Sequence, residues 1–402
     1  MSAGARRGAA RIARAALLIL ASLTGACAGA GPSFISYAHG PDAVAGARRE
    51  GRLHVRWSRR MAPELEGPFL PIERAVAAFD PMGDRIYVGS SVGDLWAFDG
   101  RGAEIWMYHA GGGIGSQPLL DADRDELYVA SDDGLLHALV ASTGAVRWTA
   151  EVGGAVGRPP VAAADALYLV TDSDLVVAYD RINGEALWRY RREAPEGFYI
   201  AEHAGITLLG TRLITGFTDG AVLCLDARDG AVLWTRDTLA DVPDTGAELR
   251  FTDVDSTPLV IGEHVYVASF AAGLYELELA NGSVNWIHPE LTGVTGIQAA
   301  AGRLLILSSG DLGVVAFDPV EREIRWEREV ERGAPTPPLV VGDIVVVGES
   351  EGGLVAYSLA DGRELTRVED EHGFAATPSA AMGLGAAVSN SGKVFVFELT
   401  ES

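Results

Sequence analysis

Few residues in this 402-residue chain have the types and spacing that chemistry requires. Residues 121–126 (DADRDE) begin like a calcium-binding loop, with Asp132 at its twelfth position, but Glu126 stands where such a loop needs glycine. A solvated turn between two strands fits this stretch better. Three histidines, His109, His203 and His372, precede predicted inner strands and could face a central channel, but none has ligand spacing. We therefore expect no metal, no cofactor and no catalytic residue.

Charge and cysteine content exclude further classes of function. The chain carries 32 basic and 55 acidic side chains, a net charge of −23, and such a surface repels nucleic acid phosphates. We expect no nucleic acid partner. Two cysteines cannot build a disulfide framework or a four-cysteine zinc site. Cys224 stands at a repeat position that is alanine elsewhere, which predicts a small buried core residue.

The N-terminus has the organisation of an export signal. Residues 1–26 comprise a segment with arginine and no acidic residue, a short apolar run and small residues, which indicates a signal peptide. Residues 24–27 (TGAC) resemble a bacterial lipobox, with Thr24 where that pattern has leucine, and the resemblance implies lipidation of Cys27. Cleavage without lipidation, giving a soluble periplasmic protein, is the alternative. Residues 27–50 then form a lipidated cysteine and a flexible tether.

A repeat dominates the remaining sequence. Tryptophan recurs at intervals of 40 to 52 residues, at Trp57, Trp106, Trp148, Trp188, Trp234, Trp286 and Trp326. Each unit contains four short alternating runs separated by Gly, Asn-Gly or Asp-Gly turns, as in the fifth unit at about 257–261, 264–270, 274–279 and 283–287. Four antiparallel strands per unit, repeated eight times, predict an all-β, eight-bladed β-propeller.

The two ends of the propeller sequence complement each other. The eighth unit ends after three strands, and residues 53–60 (LHVRWSRR) carry Trp57 before the first unit begins. We predict that this N-terminal strand closes the last blade, so that 51–402 form a single propeller domain. Since one tryptophan recurs in nearly every unit, we expect these side chains to pack blade against blade.

The unit A-x-D-x-x-x-G-x-x-x-W, as in residues 178–188, resembles the pyrroloquinoline-quinone-type propeller repeat. Two classes share that repeat: quinoprotein dehydrogenases and the non-enzymatic BamB-like outer-membrane assembly lipoproteins. The overall plan resembles the second class. This resemblance implies a scaffold, lipid-anchored at the periplasmic face of the outer membrane and acting as a monomer within a complex. Its partner is then the periplasmic domains of the outer-membrane barrel-assembly protein. The dehydrogenases need calcium beside the quinone, and many have adjacent paired cysteines, which this sequence lacks.

Two long connections, 189–205 and 235–255, adjoin predicted blades four and five and predict a raised recognition surface. In BamB-like proteins this loop pair contacts the partner, through an apolar-x-apolar-Arg tract and an Asp-Val-Asp tract. The resemblance assigns partner binding to Phe198, Ile200, Asp253 and Asp255, with Ala201 replacing the family's arginine. Alternatively, the aspartates cap backbone amides. Binding of another envelope protein or of a polysaccharide is the other function that remains open.

One residue departs from the repeat without an explanation in the sequence. Glu276 occupies a position that is alanine in five other units. Burying a carboxylate is costly unless it is paired, so it must face a wet crevice or meet a basic neighbour.

Overall fold

A computed structural model describes residues 52–62, 72–193, 203–238, 240, 253–270 and 272–400. Within these ranges the chain forms eight four-stranded sheets in which sequential strands pair antiparallel. First strands of most neighbouring blades contact one another, including those of blades one and eight, so they line the axis of a closed ring. The predicted eight-bladed β-propeller is confirmed.

The thirty-two strands fall into four sets by their position within the blade. The outer strand of blade eight is β1 (Leu53–Arg60). The innermost strands of blades one to eight are β2 (Ala78–Phe79), β6 (Leu119–Asp121), β10 (Val161–Ala162), β14 (Thr207–Leu209), β18 (Leu259–Ile261), β22 (Val294–Ala299), β26 (Leu339–Val341) and β30 (Ser379–Ala381). The second strands are β3 (Arg85–Val88), β7 (Glu126–Ala130), β11 (Ala166–Val170), β15 (Arg212–Gly216), β19 (His264–Ser269), β23 (Leu305–Ser309), β27 (Ile344–Gly348) and β31 (Leu384–Val388).

The third strands are β4 (Asp94–Asp99), β8 (Leu135–Val140), β12 (Leu175–Asp180), β16 (Ala221–Asp226), β20 (Gly273–Glu278), β24 (Gly313–Asp318), β28 (Leu354–Ser358) and β32 (Lys393–Leu399). The outer strands of blades one to seven are β5 (Glu104–His109), β9 (Val146–Glu151), β13 (Ala186–Arg191), β17 (Val232–Asp237), β21 (Val284–His288), β25 (Glu323–Arg328) and β29 (Glu364–Val368). A short 3₁₀ turn, Ala301–Arg303, joins β22 to β23.

The core lies between blades rather than within one. Second and third strands are buried along most of their length because both of their faces pack against neighbouring sheets, as in β11 and β12. Outer strands such as β13 instead alternate between exposed and half-buried positions. Continuous apolar runs in the two middle strands therefore follow from burial on both faces.

The repeat tryptophans join each blade to the next, except in blade seven, where Thr366 stands at that position. The indole N–H of Trp148 donates to the carbonyl of Arg181 at 3.0 Å, in the following blade. The ring lies against Gly184, where an added Cβ would stand 2.5 Å from it and where φ is +74°. The same indole-to-carbonyl bond to the next blade is made by Trp57, Trp106, Trp188, Trp234 and Trp326. Each turn glycine thus leaves room for the tryptophan of the preceding blade.

One inter-blade contact replaces this glycine with an arginine. Arg322 occupies the position with φ +60°, and its guanidinium lies 5.7 Å from the ring centre of Trp286. A cation–π contact therefore covers the indole there.

The N-terminal strand closes the ring as the sequence predicts. Strand β1 pairs antiparallel with β32 from Leu53↔Leu399 to Arg60↔Lys393, with a bulge between Val55 and Trp57. The amide of Arg52 donates to the hydroxyl of Thr366 in blade seven at 2.9 Å. Blade eight is therefore completed by residues from both ends of the described propeller.

Three other sequence predictions can be compared with the structure of these sheets. Cys224 is fully buried and free, and burial raises the pKa of its thiol to about 11, which makes it a core residue. Within the stretch 121–126, residues 122–125 form the predicted turn between β6 and β7, and Asp121 binds Arg181 at 2.7 Å. Glu276 has a basic neighbour, because its carboxylate lies 3.0 Å from the imidazole of His264.

Candidate docking face

Two long connections between neighbouring blades emerge on one face of the ring. They run from the end of β13 to the start of β14 (192–206) and from the end of β17 to the start of β18 (238–258). The corresponding connection between β9 and β10 spans only 152–160. Phe198, Ile200 and Ala201 lie outside the described residues, as does Cys27. The structure therefore describes the bases of these two connections.

The base of the first connection is fixed by an arginine and a histidine. The guanidinium of Arg192 binds the carboxylate of Asp219 at 2.5 Å and lies 5.9 Å from the ring centre of Phe217. On the other side, the buried imidazole of His203 lies 4.0 Å from the carboxylate of Asp174. The two sides meet at Asp174, whose carbonyl accepts the Arg192 amide at 3.0 Å.

Asp174 is a strained and buried residue in the turn between β11 and β12. Its φ is +55°, in the left-handed region that favours glycine. The carboxylate accepts the amide of Thr218 at 3.3 Å and also the hydroxyl of that residue. Burial raises the pKa of this carboxyl group, and the two Thr218 bonds act against the rise. The turn of blade three is thereby joined to the turn of blade four.

The second connection rests on the same blade-four turn. The carbonyl of Gly220 accepts the amide of Thr238 at 3.1 Å and its hydroxyl at 2.8 Å. At the other side, the amide of Val254 donates to the carbonyl of Phe217 at 3.2 Å. Residues 217–220 are therefore a shared support, because both sides of this connection and Arg192 of the first one bind it.

The predicted acidic residues lie deep in this junction. Asp253 is 2% exposed and Asp255 is 1% exposed. The carbonyl of Asp253 accepts the Phe270 amide at 2.9 Å, while the hydroxyl of Ser256 accepts the Ala268 amide at 2.8 Å. Residues 253–256 thus join the second connection to blade five. Both aspartate side chains are buried in this junction, and their assignment to partner binding stays a prediction.

A cavity of about 330 Å³ opens at the ring axis on this face. Segments leading into the inner strands of seven blades line it, and its charged residues are Arg74, Asp132, Arg158 and Asp172. Burial raises the pKa of Asp132, although Arg74 lies 3.9 Å from that carboxylate and opposes the rise. Of the three histidines singled out in the sequence, only His203 lines the cavity.

Three features that position this face were not identified from the sequence, namely Asp174, Arg158 and the 217–220 turn. Asp174 had a detectable signal, because it stands where the turns of most other blades carry glycine. Arg158 and the 217–220 turn act through contacts between blades, for which no short motif exists. Among the described residues, no cluster of three or more His, Cys, Asp or Glu could hold a metal ion. Over the same ranges, no helix has the length and apolar character needed to cross a membrane.

Fold and site together define a class: an eight-bladed propeller with a closing N-terminal strand and two extended connections on one face. A family model described as "Outer membrane protein assembly factor BamB" matches residues 91–328 and 309–401. The chain belongs to this family.

Individual relatives agree with the family match. The BamB of Burkholderia pseudomallei is 26% identical over 337 residues, covering 80% of this chain and 84% of the relative. The BamB of Shewanella oneidensis is 27% identical over 275 residues, covering 64% of this chain and 65% of the relative, just under two thirds of its length.

Solved structures share the fold. The crystal structure of BamB from Moraxella catarrhalis has a TM-score of 0.71 at 24% identity and covers 82% of this chain and 100% of that one. A quinohemoprotein alcohol dehydrogenase from Pseudomonas putida HK5 has a TM-score of 0.63 at 14% identity, covering 88% of this chain and 77% of that one. The second likeness raises the question of a quinone site.

The described residues do not fit a calcium-bound quinone. Calcium prefers six to eight oxygen ligands. Besides hydroxyl and amide oxygens, the described lining of the axial cavity has only two carboxylates, Asp132 and Asp172, and the guanidinium of Arg74 beside the first opposes a cation there. The only cysteines in the sequence, Cys27 and Cys224, are far apart and cannot form a pair of adjacent cysteines. We derive no chemical step through such a cofactor.

Proposed function

We propose that this chain is a non-enzymatic scaffold of outer-membrane protein assembly. It binds the periplasmic domains of the outer-membrane barrel-assembly protein and supports insertion of outer-membrane proteins. Family membership supports this role, as do relatives named outer membrane protein assembly factor. The single observation that carries it is structural: two long neighbouring connections share one buried support at residues 217–220.

The proposed contact has an apolar centre and an acidic neighbourhood. Phe198 and Ile200 belong to the first connection and serve as apolar anchors, since a few such side chains carry most of an interface's free energy. Asp253 and Asp255 lie near the end of the second connection. Because both are buried, we propose that they act on the partner through their negative charge and by holding the end of that connection.

The proposed location is the periplasmic face of the outer membrane. Lipidation of Cys27 would anchor the propeller through a tether, and a soluble periplasmic protein is the alternative. Cys27→Ala should move the protein from the membrane fraction to the soluble fraction. Equal distribution of both forms, together with no lipid on the wild-type N-terminal peptide by mass spectrometry, would contradict lipid anchoring.

Binding is tested with the mature chain and purified periplasmic domains of the barrel-assembly protein. The double variant Phe198→Ala/Ile200→Ala should weaken the affinity about 10- to 100-fold, because truncated interface anchors cost about 1–2 kcal/mol or more each. The matched control is Ile182→Ala/Val320→Ala. Both control residues are exposed and lie in turns that precede outer strands, hence on the opposite face. The control should bind like wild type.

The acidic pair needs its own readout. Asp253→Asn/Asp255→Asn should weaken binding more at low salt than at high salt if charge contributes. Since both residues are buried, melting must be recorded on the same samples. Unchanged affinity in both the apolar and the acidic double variants, with folding intact, would place the binding face elsewhere.

A negative result also has a defined successor. If the mature chain captures no barrel-assembly protein from membranes, mass spectrometry of the captured material tests for another envelope complex. Binding to purified envelope polysaccharide tests the remaining candidate. Turnover of an alcohol in the presence of the quinone and calcium would restore the enzyme class.

A further inference from the structure

We propose that Arg158 is a positioning residue that fixes the C-terminal ends of the two long connections relative to each other. Its Nε–H donates to the carbonyl of His203 at 2.6 Å, and its Nη2 donates to the carbonyl of Asp255 at 3.2 Å. His203 lies near the end of the first connection, and Asp255 lies near the end of the second. This inference rests on the proposed function of the connections as one docking surface.

The geometry of the bridge favours an arginine. A guanidinium carries five N–H donors in a rigid planar fork, so one side chain can hold two carbonyl oxygens in a fixed relation. Arg158 lies in blade three's entry segment, while the two carbonyls lead into blades four and five. The bridge therefore spans three consecutive blades around the axial cavity.

The backbone near Arg158 favours this placement. Pro159 and Pro160 follow it directly, and proline fixes φ near −65° and cannot donate a competing amide. An added Cβ at Gly157 would meet nothing within 4 Å, so the chain runs along the open cavity rather than through packed core. The backbone of Arg158 is thus restrained by the prolines, and its side chain extends along the cavity to the two carbonyls.

The two ends are also in direct contact. The amide of Gly205 donates to the hydroxyl of Thr257 at 3.0 Å, and the hydroxyl of Thr207 donates to the carbonyl of Pro258. Arg158 adds charge-assisted bonds on the axial side of this pair of segments. Together with the 217–220 support, both ends of both connections are held by named contacts.

A partner that touches both connections gains from this arrangement. Association must otherwise order the two segments relative to each other, and preorganisation removes part of that cost. We therefore expect Arg158 to affect affinity without touching the partner.

The test compares Arg158→Met, Arg158→Lys and the control Arg74→Met in the mature chain. Arg74 also lines the cavity, but its described contact is with Asp132. Arg158→Met should speed hydrogen exchange about tenfold at the amides of Gly205 and Val254, which follow and precede the bridged carbonyls. It should also weaken binding of the purified periplasmic domains about five- to tenfold. Arg158→Lys should recover part of both effects, and Arg74→Met should change neither.

The outcomes separate this inference from the proposed function. Unchanged exchange at both amides in Arg158→Met, or equal acceleration in Arg74→Met, overturns the positioning role. Faster exchange with unchanged affinity also overturns it, provided that Phe198→Ala/Ile200→Ala weakens binding. If the apolar double variant binds like wild type, the proposed docking face is what fails, and the exchange data alone decide whether Arg158 bridges the two segments.

Discussion

Ring closure by the N-terminal strand can be tested by removing its central tryptophan or the whole strand. Trp57 is 4% exposed, lies against Gly102 and donates to the carbonyl of Gly100 at 3.3 Å. Trp326 makes the matching contacts inside the ring: it is 7% exposed, and its indole donates to Leu359 at 2.8 Å. Trp57→Ala, Trp326→Ala and deletion of 52–60 therefore form a matched set.

The magnitude follows from burial. Replacing a buried tryptophan by alanine costs about 3–5 kcal/mol, because it removes apolar contacts and leaves a cavity. Unfolding entropy is about 2.1 cal/mol/K per residue, or about 0.7 kcal/mol/K for roughly 350 residues that unfold together. Each tryptophan variant should then melt roughly 4–7 °C below wild type. The deletion should cost more, since it also removes Leu53 and the ladder to β32.

Thermal unfolding followed by circular dichroism and calorimetry measures these shifts. The deletion should also increase aggregation, because β32 becomes an unpaired edge strand. A deletion variant that melts within about one degree of the mature chain would show that β1 does not close the ring in solution. A Trp57→Ala shift far below that of Trp326→Ala would show that the closing contact is weaker than those inside the ring.

Two further predictions concern the turns. Gly184→Ala should lower the free energy of unfolding by about 2–4 kcal/mol, because the added Cβ would stand 2.5 Å from the Trp148 ring at a φ of +74°. The control Gly210→Ala should cost only about 1 kcal/mol, because that glycine has a φ of +60° but nothing within 4 Å of an added Cβ. Equal losses in urea titrations of the two variants would contradict the blade-packing role of Trp148. Because burial raises the folded-state pKa of Asp174 above its unfolded value, its contribution to stability is greatest while it is protonated and is lost as pH rises through the folded pKa. Asp174→Asn, which stays neutral, should therefore gain stability relative to wild type between about pH 4 and about pH 7, and a difference independent of pH in denaturant titrations would refute the raised pKa.

The fold could be predicted because its physical signals are local and repeated. Four alternating runs with glycine turns define a blade within about 40 residues, and repetition removes ambiguity about any single run. In blade five, the predicted strands differ from β18, β19, β20 and β21 by two residues or fewer. The closing strand was equally accessible, since Trp57 precedes the first unit and the last unit lacks its outer strand.

The site was less accessible because its contacts join residues that are distant in sequence. The sequence does not show that Asp253 and Asp255 are buried, because the backbone around them is bound to blade five and to Arg158. Glu276 could not be interpreted alone, because its partners Tyr266 and Asn285 come from the strands on either side of it. Such pairings depend on strand register, which spacing does not reveal.

The propeller architecture explains how loop ends can be positioned from several blades at once. Seven of the eight blades are locked to the next by an indole that packs against a turn, so neighbouring turns behave as parts of one rigid ring. A single turn, residues 217–220, can then support two connections, and one guanidinium can join segments of three blades. Because these supports are buried, sequence change elsewhere in the connections can alter what is bound while the ring keeps their ends in place.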